Sequence, residues 1–127
     1  MTIIKTDQAP AAIGPYSQAI VHEKLGLIFT AGQLGMTPAG EFVAGGISEQ
    51  TYQALLNISA IVKAAGSDMS HIIKTTIYLN DMNDFAAMTT VYADFFPNNP
   101  PARSAVEVSR LPKDALVEIE AIATLGE

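Results

Sequence analysis

A chain of 127 residues with no cysteine and a net charge of −6, its seven Lys and Arg scattered singly, reads as one domain over residues 1–127, long enough to bury a core without disulfides or metal staples. The acidic balance excludes the basic stripe of a nucleic-acid or membrane-surface protein, and the missing cysteine excludes thiol nucleophiles and thiolate metal sites. With 49% hydrophobic and only 16% charged residues, the composition predicts apolar surface hidden against other copies of the chain.

The opening "MTIIKTDQAP" has neither a charged leader nor an apolar core after it, and no run approaches membrane length, so an unprocessed cytoplasmic protein is expected. "YSQAIVH" (16–22) and "LGLIFTA" (25–31) predict two strands forming a hairpin with Gly26 at its tightest point. Residues 32–47 hold five glycines and one proline, which predicts loop with at most a short strand near Glu41 to Val43. Ser48 is the expected N-cap of a helix that carries Tyr52, Leu55, Leu56, Ile58 and Val62 inward and ends at Gly66.

Ile72 to Leu79 predicts a buried strand. A second helix is expected from Asp81 or Asn83, with Phe85, Met88, Val91, Tyr92 and Phe95 inward, stopping before Pro97. "SAVEVS" and "LVEIEAIATL" alternate on either side of Pro112 to Asp114, which predicts an antiparallel pair joined by a turn. The order β-β-α-β-α-β-β defines an α+β fold. Two helices cover one face of such a sheet and leave the other for water or partner subunits.

On the final strand Val117, Ile119, Ala121 and Ala123 share one face and Glu118, Glu120 and Ile122 the other, with Glu107 joining the acidic face if the preceding strand is so registered. These carboxylates are either ordinary surface groups or, on a covered face, groups of raised pKa suited to general acid-base work. Arg103, between "PPA" and the strand, is either a surface arginine or a guanidinium fork for a small carboxylate. A hairpin centred on Lys113 puts Glu118 opposite Val108, ~16 Å along the strand from Arg103, so a site using both needs a long reach or a neighbouring subunit. Tyr16 is either a half-buried anchor or a hydroxyl that orients substrate or water. Ser17 has no histidine or acid at usable spacing, His22 and His71 read as structural, and the glycine pairs match no nucleotide fingerprint.

"IGPYSQA" (13–19), "FTAGQLG" (29–35), "NISAIVKAAGSDMSHIIKTTIYLNDMNDF" (57–85) and "PPARSAVEVSRLPKDALVEIEAIA" (100–123) together resemble the Rid family, also called YjgF, and its enamine/imine deaminases almost from end to end. The resemblance implies a chorismate-mutase-like fold, three subunits joining their open sheet faces into a barrel, and sites in the clefts between them. It also implies hydrolysis of short-chain 2-imino acids and their enamine tautomers, such as 2-aminoacrylate, 2-iminopropanoate and 2-iminobutanoate, to 2-keto acids and ammonia, which spares other enzymes from these reactive metabolites. Arg103 would then hold the substrate carboxylate and Glu118 position or activate water. Tyr16 matches the pocket tyrosine, and Gly32 and Ala105 match positions of main-chain contact.

An iminium carbon is already electrophilic, so orientation, one water and one proton suffice, and no metal or cofactor is expected. Ala105 stands where many relatives carry cysteine, Thr89 where asparagine is common, and Ala31 precedes Gly32 where serine is common, which leaves substrate range open. A non-catalytic trimer that binds 2-keto or other small carboxylates needs Arg103 but not Glu118. Ribonuclease activity, attached to some relatives, lacks a histidine pair or basic groove to carry it.

Overall fold

The computed structural model describes residues 1–126 and has one mixed sheet with two helices on one face. The strands are β1 (Thr2–Ile4), β2 (Ala19–His22), β3 (Leu27–Thr30), β4 (Gln33–Leu34), β5 (Ile72–Leu79), β6 (Ala102–Glu107) and β7 (Val117–Thr124). The helices are α1 (Ile47–Ala64) and α2 (Phe85–Phe95). The expected architecture holds, with β1 and β4 as two additional short strands. Neither helix among the described residues is long and apolar enough to cross a membrane.

Sheet order corrects the expected last hairpin. The order is β1-β2-β3-β7-β5-β6, with β4 also beside β7. The final strand therefore lies at the centre, antiparallel to both β3 and β5, and β6 pairs parallel to β5 at the edge. Pro112–Asp114 does form a helical turn, but the chain it redirects crosses β5 rather than pairing with β6. The reason is burial: Val117, Ile119 and Ala123 are fully buried and Ala121 nearly so, whereas most of β6 is exposed or half-buried. An eight-residue strand with such a face is worth more in the middle of the sheet, since each large apolar side chain taken from water contributes about 1.5–3 kcal/mol.

The buried stripe of α1 consists of Ala54, Leu55, Ile58, Ile61 and Val62, all at 0% exposure. Tyr52 and Leu56, expected inward, are instead exposed at 53% and 38%. They flank the stripe, and Tyr52 leans on Phe95 of α2 with ring centroids 5.4 Å apart. The helix also begins earlier than expected. Gly46 O accepts the first turn's bond from Gln50 N–H, and Glu49 Oε1 accepts from Gly46 N–H at 2.9 Å, leaving Ser48 inside the first turn. At the other end Gly66, with φ +89°, donates to Lys63 O while Ser67 N–H donates to Val62 O, a left-handed cap that glycine favours.

The strand expected over 16–22 forms only from Ala19, so Tyr16 lies in the preceding loop. Near Glu41 to Val43 the chain makes a single bridge, Met36 to Phe42. β3 and β4 run along the same side of β7 and are interrupted at Ala31 and Gly32. Across that break the Thr30 hydroxyl accepts from Ala121 N–H at 3.0 Å. Buried Asn57 of α1 donates to Leu34 O and Met36 O, which fixes β4 and, with it, the position of Gly32.

Candidate functional site

Arg103 and Glu118 sit on opposite faces of the sheet. Register places Arg103 beside Thr75, and Thr75 beside Ala121; Glu118 is beside Tyr78, which is beside Val106. Residues in register share a face, so Arg103 joins Thr75 and Ala121 on the helix side, and Glu118 joins Tyr78 and Val106 on the open side. The expected alignment of Glu118 with Val108 is replaced by this arrangement. Glu107, a possible member of the acidic face, belongs to the helix side, where its carboxylate accepts from Met82 N–H at 2.8 Å.

The arginine is held by one face of α2. Its guanidinium carbon lies 5.2 Å from the Phe85 ring centroid and 4.9 Å from that of Tyr92, and Nη1 donates to Thr89 Oγ1 at 3.2 Å. Phe85, Thr89 and Tyr92 are spaced four and three residues apart, the helical interval that puts side chains on one face. Among the described residues no acidic group pairs with Arg103, so a half-buried guanidinium stands ready for an external anion. The main chain adds to it. Val108 N–H donates to Leu79 O on β5, and strand alternation then turns the main chain of Arg103 and Ala105 toward the free edge of β6. Arg103, Thr89 and the Ala105 amide thus form a donor-rich edge that fits a carboxylate.

A second cluster lies on the open face. Glu118 is half-buried beside β4 and β5, and Gly32 approaches so closely that a side chain at that position would have to displace the Glu118 carboxylate. Burial, with a smaller contribution from the neighbouring Glu120 carboxylate, raises the Glu118 carboxyl above the usual glutamate range. Tyr78 donates to Glu120 Oε1 at 3.3 Å, and burial together with that carboxylate raises its own phenol. The raised carboxyl makes Glu118 a better proton carrier than an ordinary surface glutamate.

Tyr16 belongs to neither cluster within one chain. It is 53% exposed, accepts from Ile13 N–H at 3.4 Å, and lines an open groove of about 770 Å³ with Ile3, Lys5, Thr6 and Pro38 that includes neither Arg103 nor Glu118. His22 accepts from Leu25 N–H and His71 pairs with Asp68, each a local structural role. Of the expected site residues, the fold brings together Arg103, Thr89 and Ala105, and separately Glu118 and Gly32. Phe85 and Tyr92 carried the right helical spacing in the sequence, but nothing there showed that Arg103 was their partner.

The family described as endoribonuclease L-PSP matches residues 6–125. A RutC family protein of Pyrococcus horikoshii is 58% identical over 95% of both chains. The 2-iminobutanoate/2-iminopropanoate deaminases of goat and man are 52% and 46% identical over 98% of this chain and 90% of theirs. Among solved structures, the YjgF gene product of E. coli is 46% identical with TM-score 0.92 over 98% of each chain. E. coli TdcF with bound serine is 44% identical with TM-score 0.93, over 99% of this chain and 100% of the other.

Proposed function

The chain belongs to the Rid (YjgF) family, and on that premise we propose that it hydrolyses short-chain 2-imino acids and their enamine tautomers to 2-keto acids and ammonia. The observation that carries the reading is Arg103, a half-buried guanidinium with no acidic partner among the described residues and a free strand edge beside it. The deaminase relatives and the amino acid held by TdcF support a small carboxylate as its ligand.

The chemistry asked of the chain is small. Arg103 and the Ala105 amide hold the carboxylate, and Thr89 steadies the guanidinium. Glu118 accepts a proton as water adds to the carbon of the protonated C=N bond and returns it to nitrogen in the resulting carbinolamine; as the C–N bond then breaks, the hydroxyl proton passes to Glu118 and the C=O bond forms, releasing ammonia. A carboxylate of ordinary pKa is a poor acid for the second step at neutral pH, and the raised value of Glu118 serves both steps.

Arg103 and Glu118 face opposite ways, so one cleft takes the arginine of one copy and the glutamate of another. The reading therefore rests on the homotrimer that the resemblance to the Rid family implies, which would also cover the exposed Phe29, Val106 and Ile3 of the open face. RNA cleavage finds less support, since the chain is acidic and both histidines are engaged locally.

The test is to generate 2-aminoacrylate with a dehydratase and to measure whether the protein accelerates ammonia and pyruvate release over the background in water. Acceleration is expected. Tight binding of 2-oxobutanoate without acceleration would identify a binding module instead.

A further inference from the structure

The guanidinium of Arg103 rests on a support that the reaction itself does not require. Tyr92 presents its ring to it at 4.9 Å. The Tyr92 hydroxyl shares a 2.8 Å hydrogen bond with Thr75 Oγ1. Tyr92 and Thr75 are exposed at only 4% and 0%. Thr75 is in turn the register partner of Arg103 on the adjacent strand. Strand β5, helix α2 and strand β6 are thereby tied into one loop of contacts: Arg103 to the Tyr92 ring, the Tyr92 hydroxyl to Thr75, and Thr75 back to Arg103 across the ladder.

We propose that Thr75 and Tyr92 are positioning residues whose buried hydrogen bond fixes the ring on which Arg103 lies, so that its fork meets the substrate carboxylate in one orientation. The proposal rests on the reading of Arg103 as the carboxylate clamp. An arginine side chain at a strand edge has several free torsions, and binding a carboxylate bidentately requires that freedom to be lost. Packing between Phe85 and Tyr92, with one N–H taken by Thr89, removes most of it before the ligand arrives. A phenylalanine in place of Tyr92 would keep the attractive ring face but leave the Thr75 hydroxyl buried without a partner. The hydroxyl pair is therefore the part of the support that a simple hydrophobic core would not need.

The experiment measures 2-oxobutanoate affinity by calorimetry and the Arg103 side-chain Nε–H resonance by NMR, in unmodified protein and in variants. Tyr92→Leu removes the ring and is expected to weaken 2-oxobutanoate binding roughly 3- to 30-fold, the range of a shielded cation–ring contact. In an Arg103→Ala background the same change should have almost no further effect, because the two residues act as a unit. Tyr92→Phe combined with Thr75→Val replaces both hydroxyl partners by apolar groups and should stay folded. It is expected to weaken binding by a smaller factor and to broaden or shift the Arg103 resonance in the ligand-free protein. Should Tyr92→Leu fail to fold, this pair decides. Unchanged affinity and an unchanged Arg103 resonance in the pair, or equal losses from Tyr92→Leu with and without Arg103, would overturn the proposal. Failure of unmodified protein to bind 2-oxobutanoate through Arg103 would instead defeat the carboxylate-clamp reading, and the ligand-free resonance would still report on the support.

Discussion

A β-carbon at position 32 would stand 2.6 Å from Oε2 of Glu118 and 2.8 Å from its carboxyl carbon. The glycine is thus a mould for the carboxylate rather than a flexible joint, since the break between β3 and β4 brings its main chain directly against the glutamate. Gly32→Ala is expected to push the Glu118 carboxylate aside, at little cost in stability because the far end of that side chain can move. Imine hydrolysis should fall about tenfold or more, since a displacement of this size costs substantial rate when a proton and a water must be aligned. Turnover assays beside thermal melts check it; equal activity would show that the carboxylate position is not critical.

Glu118→Gln keeps the side-chain shape but loses basicity, and turnover should drop about 10²-fold, within the range of general acid-base groups. Glu120→Gln is the control and should cost much less, since Glu120 is engaged by Tyr78. Affinity for 2-oxobutanoate should change little in either. Kinetics and calorimetry on the same preparations separate the two outcomes, and similar small losses from both would remove Glu118 from its role.

The raised Glu118 pKa, caused first by burial and then by Glu120, also ties activity to stability. A folded state that holds the proton more tightly than the unfolded chain loses stability as pH rises from the ordinary glutamate value through the raised one. Glu118→Gln removes that loss, so its melting temperature relative to unmodified protein should be higher at pH 7 than at pH 4. The acidic limb of the pH–rate profile should lie above that of an ordinary glutamate. A melting difference that does not change with pH would contradict the shift.

The elements themselves were legible in the sequence because each depends on local periodicity. Leu55, Ile58 and Val62 mark the buried side of α1, and alternation from Val117 to Ala123 separates the core face from Glu118 and Glu120. Pairing is not local. Nothing in "SAVEVS" distinguishes an antiparallel partner next in sequence from a parallel one 28 residues earlier, so the sequence predicts β6 beside β7 where the fold pairs it with β5. The same gap hid the site's geometry. Arg103, Thr89 and Glu118 are each identifiable by resemblance, but that Glu118 faces away from Arg103 follows only from the register, and that Thr89 touches Arg103 only from the way α2 packs on the sheet. β1 and β4, at three and two residues, are too short to show a period at all.

Arg103→Ala should leave the fold intact, because the guanidinium lies at a strand edge and pairs with no acid among the described residues. Binding of 2-oxobutanoate should weaken roughly 10- to 150-fold, corresponding to the ~1.5–3 kcal/mol of a charge-assisted contact, and hydrolysis should become indistinguishable from the uncatalysed rate. Arg103→Lys should recover little, since a point charge can neither fork to a carboxylate nor lie flat between Phe85 and Tyr92. Calorimetry and turnover check both variants. Near-normal turnover in folded Arg103→Ala would remove the clamp assignment.

The opposite facing of Arg103 and Glu118 makes the assembly itself testable through catalysis. Light scattering should give a particle of about 40 kDa, three times the 13.4 kDa chain, but mass alone does not show that a site is shared. Arg103→Ala and Glu118→Gln should each be nearly inactive as pure proteins. When they are unfolded together in equal amounts and refolded, subunits mix at random. A cleft is then complete where a Glu118→Gln copy supplies the arginine and the adjoining Arg103→Ala copy supplies the glutamate. Each condition is met half the time, so about one quarter of the clefts should regain activity, as a closed ring of like contacts requires. Mixing the folded proteins without exchange should restore none. Absence of recovery in verified mixed trimers would mean that each chain builds its site alone, and the placement of Arg103 and Glu118 in one cleft would have to be abandoned.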